Sequence, residues 1–289
     1  MKRLLKSLSL LQKIIACTML VFALIGIGFT AVFVAMQFGL LNVKGSSIER
    51  NASFGALPTT DNPNHCLGES RTTAPCDWAS TAEWSVVKSA LLKDAEVVEK
   101  VASQTGVSER MIVSAVIPEQ LRYFTANRES FKKYFEPLKI LSSMSKFSLG
   151  ISGIKQETAR RIEEYANDPA SVFYPGDSIA ALIAYPDGVD RDTELYNRLT
   201  DAHNHYYSYL YTAIYLKEIQ AQWRASGYDV STRPDVLVTL FNLGFNASHP
   251  NNDPKIAGSV ITLGGKDYKF GLLGTLFYQS AQLSTEFPK

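Results

Sequence analysis

The chain has 289 residues, of which 46% are hydrophobic and 20% charged, and its formal net charge is +1. This composition is typical of a globular protein with a substantial core in one or two domains. A protein that neutralises many phosphates normally carries a basic excess, so the balanced charge argues against nucleic acid as a partner.

The amino terminus combines a basic flank with a long uncharged segment. Residues 14–36 read IIACTMLVFALIGIGFTAVFVAM. At about 1.5 Å per residue a helix of this length spans roughly 35 Å, enough for a bilayer core. Because the basic flank precedes the segment and no small-residue cleavage site follows it, we predict a cytoplasmic tail at residues 1–13, a transmembrane signal anchor at residues 14–41 and an exported carboxy-terminal body.

Residues 42–80 are polar and rich in turn-forming residues, which predicts a tether with little regular structure. Cys66 and Cys76 lie in this tether on the exported side, where a local disulfide between them fits an oxidising compartment. Metal binding is the weaker alternative, because His65 is adjacent but a site needs three or four converging ligands. We predict no metal and no cofactor.

Helical periodicity dominates from residue 81 onward and predicts a mainly α domain over residues 81–289. Ser108 is a suitable N-cap for a helix that starts at Glu109. Alternating residues on both sides of Gly264 and Gly265 predict a small β-hairpin near the carboxy terminus. The other predicted helices cover residues 82–104, 155–165, 177–185, 192–226 and 234–240.

The sequence VIPEQLRYF at residues 116–124 places a carboxylate at the end of an apolar helical stretch. Pro118 is expected to bend or end the helix there. A glutamate at a helix end is usually a solvated surface residue, but the apolar neighbours of Glu119 would partly desolvate it. Desolvation disfavours the charged form, which suits a general acid, whereas pairing with Arg122 three residues on would oppose this effect.

Three segments, in this order along the chain, resemble the lysozyme-like lytic transglycosylases of the goose-type lysozyme superfamily. GVSERMIVSAVIPEQLRYF at residues 106–124 resembles the catalytic-glutamate helix of that family. SLGISGIKQETA at residues 148–159 resembles its serine, glycine and Thr-Ala block, which faces the glutamate across a sugar cleft. Residues 209–245 resemble the helical region that ends in an alanine, tyrosine, asparagine, alanine, glycine motif, which reads LFNLG at residues 240–244 here.

The resemblance implies a membrane-anchored enzyme of the bacterial inner membrane that acts on peptidoglycan glycan strands in the periplasm. It implies that Glu119 is the single acid and base, without a partner aspartate and without a cofactor. It also implies a set of substrate contacts at Ser148, Tyr123, Gly150, Phe241, Asn242 and Tyr215. For Tyr211 and Tyr215, a place in the hydrophobic core is the alternative, because aromatic residues at helical spacing usually pack inside.

Three positions depart from the family pattern. Gly153 aligns with a glutamine, Phe241 with a tyrosine whose hydroxyl lies near the glutamate, and Gln120 with a residue that is often serine. These departures leave two alternatives open beside the lytic transglycosylase. One is a muramidase that uses water, and the other is an inactive peptidoglycan-binding scaffold of an envelope protein complex.

Overall fold

A computed structural model of the chain describes residues 77–125 and 148–289, together with a few helical positions between residues 18 and 30. The chain divides into two units, residues 1–51 and residues 52–289. The described residues include no helix with the length and hydropathy of a membrane-spanning segment. The predicted tail, most of the predicted anchor at residues 14–41, Cys66 and Cys76 all lie outside the described residues.

The described part of the second unit is mainly helical, which confirms the predicted mainly α class. The first element described there is a 3₁₀ helix at Asp77–Ser80, and another 3₁₀ turn covers Phe245–Ala247. The α-helices are α1 Ala82–Lys93, α2 Ala95–Thr105, α3 Glu109–Thr125, α4 Gln156–Ala166, α5 Asp177–Leu182, α6 Arg191–Thr200, α7 Tyr206–Ala225, α8 Pro234–Leu243 and α9 Phe270–Gln279. The strands are β1 Ser148–Leu149, β2 Ile154–Lys155, β3 Val260–Leu263 and β4 Lys266–Lys269.

Helix α3 is the central helix of the core. It packs against α1, α2, α7, α8, α9 and strand β3. Neighbours surround it on all sides, so every residue from Met111 to Glu119 is buried. A helix that is apolar around its whole circumference is typical of the interior of a domain. The candidate glutamate therefore lies on a helix in the interior of the unit.

Pro118 does not end helix α3, which continues to Thr125. The expectation that the helix terminates there is wrong. A proline inside a helix removes one backbone hydrogen bond, at a cost of about 3 kcal/mol. Burial of the apolar side chains of α3 against its neighbours offsets that cost, and tertiary packing overrides the local signal.

Two predicted long helices are each interrupted. The helix predicted over residues 82–104 breaks at Asp94, whose carboxylate accepts hydrogen bonds from the His205 ring and from the Tyr209 hydroxyl. The helix predicted over residues 192–226 breaks at residues 201–205, where the Asp201 carboxylate accepts from two nearby backbone N–H groups. Aspartate favours local bonds of this kind over the helix ladder, which explains the break at residues 201–205. The partners of Asp94 are distant in sequence, so tertiary contacts accompany the first break.

The described residues of the unit also form two short antiparallel hairpins. In the carboxy-terminal hairpin, Leu263 pairs with Lys266 and the turn is formed by Gly264 and Gly265, both with positive φ. This confirms the predicted hairpin, because a two-residue turn of this hand needs φ above zero. The β1–β2 hairpin pairs Ser148 with Lys155 and was not predicted.

The packed domain begins before the predicted boundary at residue 81. Trp78, in the 3₁₀ helix, is fully buried, and its ring lies edge-on against Trp84 at a centroid distance of 4.9 Å. Phe277 of α9 lies against both tryptophans. Trp78, which the sequence places in the tether, is therefore part of the core.

Candidate functional site

Glu119 lies on α3 at the edge of the core and is only 9% exposed. Its neighbours Ile117 and Leu121 are fully buried. The alternative of a solvated surface glutamate is therefore wrong. Its Oε1 atom accepts a hydrogen bond from Arg122 Nη2 at 2.5 Å, so the pairing that sequence analysis weighed does form. A hydrogen bond between charged groups at this distance fixes the orientation of the carboxyl group.

The β1–β2 hairpin lies directly against the glutamate. A Cβ atom at Gly153 would lie 2.3 Å from Glu119 Oε1, and Gly153 has φ +65°. Only glycine therefore fits, because a side chain would meet both strain and a collision. The adjacent Gln120 side chain donates a hydrogen bond to the Ile151 carbonyl. The space that a side chain at Gly153 would need is occupied by the carboxyl group of Glu119.

Asn242, at the end of α8, is connected to the glutamate through two other residues. Its Oδ1 atom accepts from the Ser259 backbone N–H at 2.9 Å and from Ser259 Oγ at 3.3 Å. Ser259 Oγ in turn accepts from Arg122 Nη1 at 3.2 Å. A continuous chain of polar contacts thus runs from Glu119 through Arg122 and Ser259 to Asn242.

Ser259 was missed by sequence analysis, and Arg122 was recognised only as a possible ion-pair partner. Ser259 is 5% exposed and precedes strand β3, in a segment outside the three resembling blocks. A serine before a strand is a common feature with no distinctive signal. For Arg122, the spacing of three residues from Glu119 was the available signal.

Tyr215 does not line a cleft, so that prediction is wrong and the core alternative holds. Its side chain is 1% exposed, with its ring 5.4 Å from the Phe241 ring and 4.2 Å from the Phe245 ring. Its hydroxyl donates to the Leu240 carbonyl at 3.4 Å. Burial raises the pKa of Tyr215 above its ordinary value. Helix α7 is enclosed on this face, and aromatic residues fill the space.

The other predicted contacts have mixed outcomes. Phe241 is largely buried against Tyr215 and Phe270, so its ring faces the core. Gly150 has φ +59°, and a Cβ atom there would lie 1.9 Å from the Leu199 carbonyl oxygen, so it permits a close backbone approach. The side chains of Ser148 and Tyr123 lie outside the described residues.

A second buried carboxylate lies on α4. Glu163 accepts hydrogen bonds from the hydroxyls of Tyr185 and Tyr211 and pairs with Arg191 at 3.3 Å. Tyr211 is fully buried, which matches the core alternative for that residue, and burial followed by the charge of Glu163 raises its pKa. Within residues 77–125 and 148–289, no group of three or more potential metal ligands is found.

No protein-family model, no curated protein and no solved structure matches this chain. A functional assignment therefore depends on the geometry around Glu119 and on the three resembling segments.

Proposed function

We propose that this protein is a peptidoglycan lytic transglycosylase with a lysozyme-like helical domain, anchored in the bacterial inner membrane through residues 14–41 and facing the periplasm. One observation carries the proposal. The three resembling segments, which are far apart in sequence, supply Glu119, Gly153 and Asn242. Gly153 lies directly against the Glu119 carboxyl group, and Asn242 is connected to it through Ser259 and Arg122.

The proposed reaction uses Glu119 twice. As an acid it gives a proton to the glycosidic oxygen between N-acetylmuramic acid and N-acetylglucosamine while the bond from that oxygen to the anomeric carbon breaks. As a carboxylate it then takes the proton of the 6-hydroxyl, whose oxygen bonds to the anomeric carbon and closes a 1,6-anhydro ring. Glu119 ends protonated, as it began. Arg122 stabilises the carboxylate that exists between the two steps.

Asn242 supplies a suitable substrate contact in this scheme. The Ser259 backbone N–H can only donate, so the amide oxygen of Asn242 faces Ser259 and its Nδ2 group is directed elsewhere. That amide is a donor for a sugar hydroxyl or for an N-acetyl carbonyl. A muramidase outcome would follow if water, instead of the 6-hydroxyl, attacked the anomeric carbon.

The ion pair also supports a second candidate from another class. Oε1 of Glu119 already contacts Arg122 at 2.5 Å and lies against Gly153, so this oxygen is not free to protonate a leaving group. An inactive member that binds glycan strands and belongs to an envelope protein complex would retain the fold and this pair.

The test is to incubate the full chain with purified peptidoglycan, beside Glu119→Gln and the exposed-site control Glu99→Gln. We expect anhydro-ended muropeptides from the parent and from the control. Release by Glu119→Gln should fall by about 100-fold or more, because general acid–base catalysis is worth at least that factor.

The possible products separate the alternatives. Reducing ends without the anhydro ring would identify a muramidase. Equal release by the parent and Glu119→Gln would remove Glu119 from the mechanism. No release from any variant, with retained binding to peptidoglycan in a sedimentation assay, would favour the scaffold.

A further inference from the structure

The carboxyl group of Glu119 is held by residues that the resemblance does not provide. Where that family has a tyrosine hydroxyl near the glutamate, this chain has Phe241, whose ring packs on Tyr215 and Phe270 in the core. The hydrogen bond to Glu119 comes instead from Arg122, three residues later on the same helix. The hydrogen-bond donor to Glu119 is therefore a positively charged guanidinium instead of a tyrosine hydroxyl.

Arg122 is itself fixed by a second contact. One of its terminal nitrogens contacts Glu119 at 2.5 Å, and the other contacts Ser259 Oγ at 3.2 Å. The planar guanidinium fork holds both at once, which a lysine ammonium on a flexible stem does not reproduce. The Ser259 hydroxyl is oriented in turn, because it donates to Asn242 Oδ1 while it accepts from Arg122. Asn242 therefore orients the Ser259 hydroxyl, Ser259 orients the Arg122 guanidinium, and Arg122 orients the Glu119 carboxyl group.

The opposite side of the carboxyl group is closed by backbone. The Cα of Gly153 lies so near Glu119 that an added Cβ would be 2.3 to 2.4 Å from three atoms of its side chain. Glu119 is thus confined between the β1–β2 hairpin and the Arg122 guanidinium. Confinement of this kind lowers the number of orientations that a reacting group samples, which is worth a large factor in rate.

We propose that Arg122 is a positioning residue for Glu119, and that Ser259 and Asn242 hold Arg122 in place. This inference depends on the proposed function, since it assigns Arg122 a role in the same reaction. The segment before strand β3, which lies outside the resembling blocks, then becomes a part of the working site.

The test compares Arg122→Met, Arg122→Lys and Ser259→Ala with the parent, each as the full chain on purified peptidoglycan. The control is Arg160→Met, which removes an arginine whose ion pair with Asp192 is exposed. Initial rates of anhydro-muropeptide release are measured over a range of substrate amounts and from pH 4 to pH 9. Thermal denaturation is recorded for every variant.

For Arg122→Met we expect kcat to fall by about 10- to 100-fold with KM within about twofold, because a misplaced reacting group loses rate more than binding. The pH profile should differ from that of the parent, because the positive charge that contacts the reacting carboxyl group is gone. Arg122→Lys should keep the parent's pH profile but remain slower. Ser259→Ala should lose a smaller factor, about 3- to 10-fold, with no change in the profile.

Each other result has a defined meaning. An active parent with unchanged rate and pH profile in Arg122→Met overturns this inference and leaves the proposed function intact. A rate loss that follows a lowered melting temperature, with the pH profile unchanged, also overturns it, since that is a structural role. No release by the parent overturns the proposed function and this inference together. If Arg122→Met does not fold, Arg122→Lys and Ser259→Ala decide.

Discussion

The two ends of helix α3 each carry an arginine, and the two arginines have opposite surroundings. Arg110, near the start, is 1% exposed, and Arg122, near the end, has a side chain that is 20% exposed. Arg122 contacts a carboxylate and a hydroxyl. The partners of Arg110 are backbone carbonyls of the carboxy-terminal segment, at Phe277, Tyr278, Ser280, Gln282, Leu283 and Phe287.

The start of α3, with Arg110, contributes to the stability of the fold, whereas the end of α3, with Arg122, belongs to the candidate site. The last carbonyls of a helix lack the donors of a following turn, and Arg110 donates to those of Phe277 and Tyr278 at the end of α9, where a positive charge also suits the negative end of the helix dipole. Burial lowers the pKa of Arg110. Its ring neighbour Phe277 lies 4.6 Å from the guanidinium. The start of α3 is thereby held to the end of the chain, while its far end presents Glu119 at the rim of the core.

The largest effect is expected at the buried end. Arg110→Met leaves several buried carbonyls without a donor, so the free energy of unfolding should fall by about 4 kcal/mol. Arg110→Lys should recover only part of it, because an ammonium has three donors and no fork. Urea denaturation measures the change, with Arg160→Met as the control. If Arg110→Met lowered the free energy of unfolding by less than about 1 kcal/mol, Arg110 would not have the structural role that distinguishes it from Arg122.

The site end is tested by adding a side chain at Gly153. Gly153→Gln should reduce proposed activity by about 100-fold, because its side chain displaces the Glu119 carboxyl group. Stability should also fall by about 1 kcal/mol or more from strain at positive φ. Gly188→Gln is the matched control, since its φ is +78° and nothing lies within 4 Å of an added Cβ. Equal activity in both variants would contradict the contact between Gly153 and Glu119.

A third comparison concerns a buried charge on α7. Glu218 is fully buried, and among the described residues neither carboxyl oxygen has a hydrogen-bond partner. Burial raises its pKa well above the ordinary value. As pH rises above about 4.5 the unfolded chain ionises first, so this group lowers stability progressively toward neutral and alkaline pH.

Glu218→Gln should therefore stabilise the fold by about 1 to 2 kcal/mol at pH 8 and by less at pH 4. Chemical denaturation at both pH values measures the difference. Gln and Glu have nearly the same shape, so packing is retained. A gain that did not depend on pH would contradict a role for ionisation.

The smallest effect is expected where a charged pair is partly exposed. His205 Nδ1 lies 2.7 Å from Asp94 Oδ2, and this hydrogen bond raises the pKa of His205. The stabilisation is present below about pH 6.5 and is lost as pH rises through the raised value in the folded protein. His205→Gln should cost about 0.5 kcal/mol at pH 5.5 and less at pH 8.5, measured by urea denaturation. A larger loss of stability at pH 8.5 than at pH 5.5 would contradict a contribution from the His205–Asp94 pair.

Much of the fold was predictable because the signals for it are local. Helix α4 at Gln156–Ala166 and helix α8 at Pro234–Leu243 follow from apolar spacing, and the β3–β4 hairpin follows from its two glycines. Helix α9 was missed, because its run of apolar residues has no clear period. The β1–β2 hairpin was missed because two-residue strands carry almost no pattern.

The sequence by itself determined the helical class and the turn glycines, since each depends on neighbours within a few positions. The choice of Glu119 as the candidate acid came from the resemblance of three segments. Only tertiary structure decided what surrounds these residues. Arg110 and the Tyr278 carbonyl are 168 residues apart in the chain, and Arg122 and Ser259 are 137 apart. No local pattern encodes such contacts, because the free energy that forms them comes from packing helices around α3 and not from the residues on either side.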